Sequence, residues 1–156
     1  MKLHIALAVS LLTLINCNTT KTTGSTMNED KNVVGKLSVQ RISLSEQTRG
    51  TNRLFTITPT KTETDLNGNL TSKSLSPDSW KVISDKIAQI NLEEIQSYKS
   101  PTTKRYSDAA LASVIIIEKD GKTYSSADFD SGNPPQQLAD VYNEIKNTVG
   151  TKKGKK

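Results

Sequence analysis

Two dipeptides constrain this chain more than any other feature: Asn67-Gly68 and Asp120-Gly121, each set between runs that read as strands. A two-residue type I′ turn needs positive φ at both central positions. Gly takes that conformation freely and Asn or Asp tolerates it, so each pair commits its flanks to an antiparallel hairpin. Around Asn67-Gly68, segments from about 53 to 66 and 69 to 75 are predicted to pair. The earlier segment opens with Phe55 and Ile57 and continues past Pro59, whose missing N–H suggests a sheet edge. Before Asp120-Gly121, Leu111 to Ile117 (LASVIII) reads as a central strand covered on both faces. Lys122 to Ser126 leaves the same turn. Upstream, Leu37 and Val39 alternate, then Ile42 and Leu44 alternate in the opposite phase, which predicts a bulge near Arg41.

Helix signals punctuate the strands. Ser76-Pro77-Asp78 supplies a hydroxyl cap, a proline at the first helical position and an acid in the first turn. Trp80, Ile83, Ile87 and Ile90 then form one apolar stripe, predicted to end near Asn91, with Leu92 and Ile95 on a short extra turn. After Gly132-Asn133-Pro134-Pro135, a second helix carries Leu138, Val141, Tyr142, Ile145 and Val149 on one face and closes at Gly150. The order β-β-β-α-β-β-α with short connections predicts an α+β fold: an antiparallel sheet of about five strands with two helices packed on one face.

The N-terminus has a different character. Lys2 precedes an apolar run from Ile5 to Ile15, half the roughly 20 residues that a bilayer-spanning helix needs, which is the length of a signal-peptide core. Leu14-Ile15-Asn16-Cys17 resembles the lipobox of bacterial lipoproteins, with a Leu three positions before a Cys that is lipidated and becomes residue one. Asn16 departs from the small residue that this pattern prefers. An ordinary secretory signal cut nearby is the competing reading. The expected organisation is a lipoprotein signal peptide at 1–16, lipidated Cys17 and a flexible tether at 17–32, one α+β domain at 33–150 and a basic tail at 151–156. Asn18 rather than Asp follows the Cys, which resembles an outer-membrane rather than an inner-membrane address.

Composition narrows the chemistry. The chain has one His, His4, and one Cys, Cys17. The body beyond the leader therefore offers no imidazole and no thiol beyond Cys17 for a Ser–His or Cys–His nucleophile, a zinc site or a disulfide. The formal charge of +5 comes from Lys2 and the four lysines of the tail, and the body between them is neutral. That argues against a nucleic-acid partner, which needs a basic patch on the domain itself.

One end of the second hairpin can still gather polar groups. Continuing its pairing outward matches Ser113 with Asp128 and Leu111 with Asp130, and alternation puts both acids on one side. The candidate binding patch is Lys104, Arg105, Asp108, Asp128, Asp130, Ser131 and Asn133. Three readings compete. As a calcium loop, Asp128-x-Asp130-x-Gly132-Asn133 has Gly and Asn transposed, and Ala139 stands where a bidentate Glu belongs. As an anion site, the N-terminus of the second helix would work with Lys104 and Arg105. As a structural cluster, Arg105 pairs with Asp108 or Asp130 while Ser131 or Asn133 caps the helix.

Ser100-Pro101-Thr102 through Asp108-Ala109-Ala110, with Asp128-Phe129-Asp130 and Pro134-Pro135, resembles small uncharacterised Bacteroidetes-type envelope lipoproteins. The resemblance implies a cell-envelope location and no activity. The expected function is a lipid-anchored, non-enzymatic binding domain without cofactor or metal. It meets the membrane through Cys17 and an envelope protein or polymer through the domain, as an inhibitor or accessory subunit. A divalent-cation-dependent hydrolase using Asp128 and Asp130 is the alternative.

Overall fold

The computed structural model describes residues 38–150. The leader, Cys17, the tether, the strand start at Leu37 and the basic tail lie outside these residues. Strand β1 (Val39–Thr48) turns at Arg49-Gly50 into β2 (Thr51–Ile57), followed by β3 (Lys61–Leu66) and β4 (Asn69–Ser74). Helix α1 (Pro77–Ile87) comes next, then 3₁₀ turns at Leu92–Ser97 and Lys104–Ser107. Strands β5 (Ala112–Lys119), β6 (Lys122–Ser125) and β7 (Phe129–Asp130) lead through a 3₁₀ turn at Gln136–Leu138 to helix α2 (Ala139–Thr148). The sheet runs β4-β3-β2-β1-β5-β6, with β7 also on β5, and all its pairs are antiparallel.

This is the expected α+β class, with seven strands rather than about five. Both glycine turns form: Asn67 and Gly68 have φ of 54° and 89°, Asp120 and Gly121 of 56° and 75°. The register of β1 against β5 shifts between Val39 and Arg41, where the change of apolar phase called for a bulge. Ser76 caps α1, its hydroxyl accepting the Ser79 N–H at 3.2 Å, and Pro77 opens the helix.

Three expectations are corrected. The strand through Pro59 is two strands. Thr58 N–H donates to the Lys61 carbonyl at 2.9 Å, closing a turn around Pro59, and β2 and β3 pair with each other. Proline fixes φ for such a turn as well as it marks an edge. Helix α1 stops at Ile87 rather than near Asn91; the chain leaves it at Ala88 and a separate 3₁₀ turn buries Leu92 and Ile95. Strand β5 is central, but only Ser113, Ile115 and Ile117 are buried, while Ala112, Val114 and Ile116 on the other face are half-buried.

One face of the sheet therefore carries the core. Ile42 and Leu44 of β1, Phe55 and Ile57 of β2, and Ile115 and Ile117 of β5 pack with Ile83 and Ile87 of α1 and Val141 and Ile145 of α2. Each such side chain contributes about 1.5–3 kcal/mol of burial relative to an exposed position. The opposite face, with Ser43, Ser45, Gln47, Asn52, Leu54 and Thr56 by strand alternation, carries neither α1 nor α2.

Candidate functional site

Asp130 pairs with Ala112 and so projects with it from the helix-free face. It is nevertheless fully buried, because the connection from Ser100 to Asp108 folds over it. Its carboxylate takes the Thr102 hydroxyl, the Lys104 N–H at 2.7 Å, the Arg105 N–H at 3.0 Å and the Arg105 guanidinium at 3.1 Å. Burial pushes the carboxyl's pKa up, but the Thr102 hydroxyl, the two backbone N–H groups and the guanidinium outweigh it and hold it well below the usual carboxylate range. An anion receptor does stand here, as the first N–H groups of a 3₁₀ turn, and its anion is the protein's own Asp130.

Arg105 links the second acid. Its side chain is 6% exposed and donates to Asp128, which is half-exposed, to the Thr102 carbonyl at 2.7 Å and to the Tyr106 hydroxyl at 2.8 Å. Asp128, then Asp130, lift the guanidinium's pKa against the cost of burial. The guanidinium carbon lies 4.2 Å from the centroid of the Tyr106 ring, which is 73% exposed.

Of the seven residues expected in the patch, the structure joins Arg105, Asp128 and Asp130 through their side chains and Lys104 through its backbone. Asp108 turns away from Arg105: its carboxylate accepts the Thr48 hydroxyl at 3.1 Å and lies 3.6 Å from Arg49. Neither Ser131 nor Asn133 caps α2, which is entered through the 3₁₀ turn with Leu138 at the cap position and no side-chain cap bond. Asn133 instead donates its backbone N–H to the Asp130 carbonyl at 2.8 Å. Pairing is also displaced by one residue from the expected register: Ser113 faces Phe129 and Ala112 faces Asp130. The extra residue enters near Ser126, whose hydroxyl accepts the Ile115 N–H while its own N–H bonds the Ile115 carbonyl.

Ser131 belongs to a second buried network. Glu46, fully buried on the core face of β1, accepts the Ser131 hydroxyl at 2.8 Å, the Tyr142 hydroxyl at 3.0 Å and Lys146 at 3.0 and 3.1 Å. Burial raises the pKa of the Tyr142 phenol. The Gly132 N–H donates to the Tyr142 oxygen at 2.9 Å, tying this network to the strand that carries Asp130. Glu46 was readable in principle: it continues the buried Ile42, Leu44 phase, and a carboxylate in that phase needs a buried donor.

The geometry bears on the calcium and hydrolase readings. Both Asp130 oxygens are filled by donors, so its lone pairs face N–H and O–H groups rather than a place for a cation. Among the described residues no group of three or more acids, histidines or cysteines is disposed to hold a metal ion. Beside the clamped connection, the tips of the β1–β2 and β3–β4 hairpins enclose a shallow groove lined by Gln47, Thr48, Gly50, Thr51, Asn52 and Asn67. No protein-family model matches the chain, and neither a curated protein nor a solved structure does.

Proposed function

We propose that this chain is a lipid-anchored cell-envelope protein, outer-membrane rather than inner-membrane, whose α+β domain binds an envelope partner and carries out no chemistry of its own. The carrying observation is the clamp on residues 100–108. A buried carboxylate with four donors holds a surface connection that would otherwise be mobile, and that connection presents an exposed Tyr106 backed by Arg105. Fixing a loop before binding lowers the ordering cost of association, and tyrosine and arginine are the side chains that anchor interfaces. The anchor part of the reading rests on the Leu14 to Cys17 pattern and the apolar run before it.

The test has two arms. Mass analysis of the N-terminal peptide shows acyl chains on Cys17 if the anchor is right and an unmodified thiol if it is wrong. A photo-crosslinking amino acid at position 106, in native envelopes, gives a discrete adduct that the same probe at exposed position 94 does not. No adduct at 106, or the same adducts from both positions, removes the loop as the binding element.

A further inference from the structure

We infer that the groove at the hairpin tips is a subsite for a neutral, hydroxyl-rich glycan. This rests on the reading of the domain as a binding module and names the chemistry it meets. The groove holds about 400 Å³, and every side chain lining it is uncharged: three amides, two hydroxyls and a glycine. Gln47 and Asn52 are cross-strand partners, so their amides stand side by side on the helix-free face. Neither side-chain amide has a hydrogen-bond partner among the described residues. The Asn52 N–H donates to the Asn67 Oδ1 at 2.6 Å, which fixes the two tips against each other and leaves the Asn67 NH₂ as a further donor. Gly50, at the β1–β2 tip, lines the groove with backbone alone, at a φ of 93°.

The rim joins the groove to the clamped connection. Thr48 donates to Asp108, so the clamped connection lies against the groove wall at Asp108, and Tyr106 comes two residues earlier in the chain. One face of the Tyr106 ring is taken by Arg105, and the ring remains 73% exposed. Paired amides satisfy vicinal hydroxyls or an acetamido group. Other ligands fit worse. A phosphate or carboxylate would need a cation in the lining, and the charged rim residues Arg49 and Asp108 face each other at 3.6 Å. An apolar ligand would find no aliphatic lining residue.

The experiment is a titration of the full-length chain in detergent micelles, followed through amide resonances, with chitohexaose, maltohexaose and, as a class control, hexaglycine. Saturable shifts of the Gln47 and Asn52 side-chain amides with either glycan are expected. Gln47→Ala and Asn52→Ala each weaken that binding about tenfold, the loss of one well-made hydrogen bond, with the melting temperature unchanged. Two results overturn the inference: neither glycan saturates these resonances, or hexaglycine does and the glycans do not, which makes the groove a peptide site. Failure here is separable from failure of the broader reading. A specific adduct from position 106 with silent glycans removes the glycan and keeps the binding module. Saturable glycan binding without that adduct removes the loop and keeps the groove.

Discussion

Asp130 shows how far a single residue's environment decides its role. A buried carboxylate without partners would be protonated or would unfold the chain; this one has four donors, two of them from the backbone. Asp130→Ala leaves Arg105 and two N–H groups facing a void, at about 3 kcal/mol, and Arg105→Ala costs a comparable amount. The double variant is expected to lose clearly less than the sum, because the partners share one network. Additive losses in thermal melts would remove the coupling. The same carboxyl sets an acid limb to stability. Its folded pKa is depressed below the unfolded value of about 3.9, so its contribution is present above that pH and is lost as pH falls towards the folded pKa. The melting temperature of the wild type should therefore fall more steeply below about pH 4 than that of Asp130→Asn. Parallel curves would show that Asp130 is not a source of the slope. The sequence offered Arg105 either Asp108 or Asp130 and could not choose, because the turn at Asp120-Gly121 fixes only the near end of the hairpin and an extra residue near Ser126 shifts the far end. Thr102 and Tyr106 were not legible, because nothing in the local pattern says that the connection folds back over the sheet.

Elements were legible where one local rule acts alone. Ser76-Pro77 and Asn67-Gly68 each have a single good solution, and both are found in it. Pro59 satisfies two rules, sheet edge and tight turn, and the choice depends on whether β2 and β3 can pair, a non-local matter. The contact of β1 with α2 was legible only in half: Glu46 stands in an inward phase, while Lys146 sits beside the apolar stripe that carries Ile145. Lys146→Met should cost about 3 kcal/mol by leaving the Glu46 carboxylate with hydroxyl donors and Arg53 at 3.9 Å. Adding Glu46→Gln should recover much of that loss in a denaturant titration; no recovery would show that packing, rather than charge, ties α2 to β1. Next to Glu46 in the register, Ser113 is buried with its hydroxyl unpartnered among the described residues. Ser113→Ala removes that unpaired group and keeps the volume nearly constant, so the melting temperature should rise or hold. A fall would reveal a partner for the hydroxyl.

At the scale of the whole molecule, the proposed anchor separates two contributions to placing the protein, charge and lipid. The body from Cys17 to Thr151 is neutral, so it offers an anionic surface little net attraction. The four tail lysines add about 1 kcal/mol each at a charged membrane, an attraction that salt screens. On the proposed reading, acyl chains on Cys17 would act on another scale, at about 0.8 kcal/mol per buried methylene, so that more than one chain would suffice for stable anchoring at any salt. Membrane association of the wild type is therefore expected to survive high-salt washing, and Cys17→Ala should move the chain to the soluble fraction. The variant's melting temperature should match the wild type's, since the core is built from residues 42–145. Its groove titration should also be unchanged, because Gln47 and Asn52 lie in strands and Asn67 in the β3–β4 turn, far along the chain from Cys17. If Cys17→Ala still sediments and salt releases it, the tail is the anchor. If it still sediments and salt does not release it, the leader is retained as an apolar segment and the Cys is not its purpose. Release together with a lowered melting temperature would mean that the N-terminal segment packs on the domain, and that Val33 is the wrong place to draw its boundary.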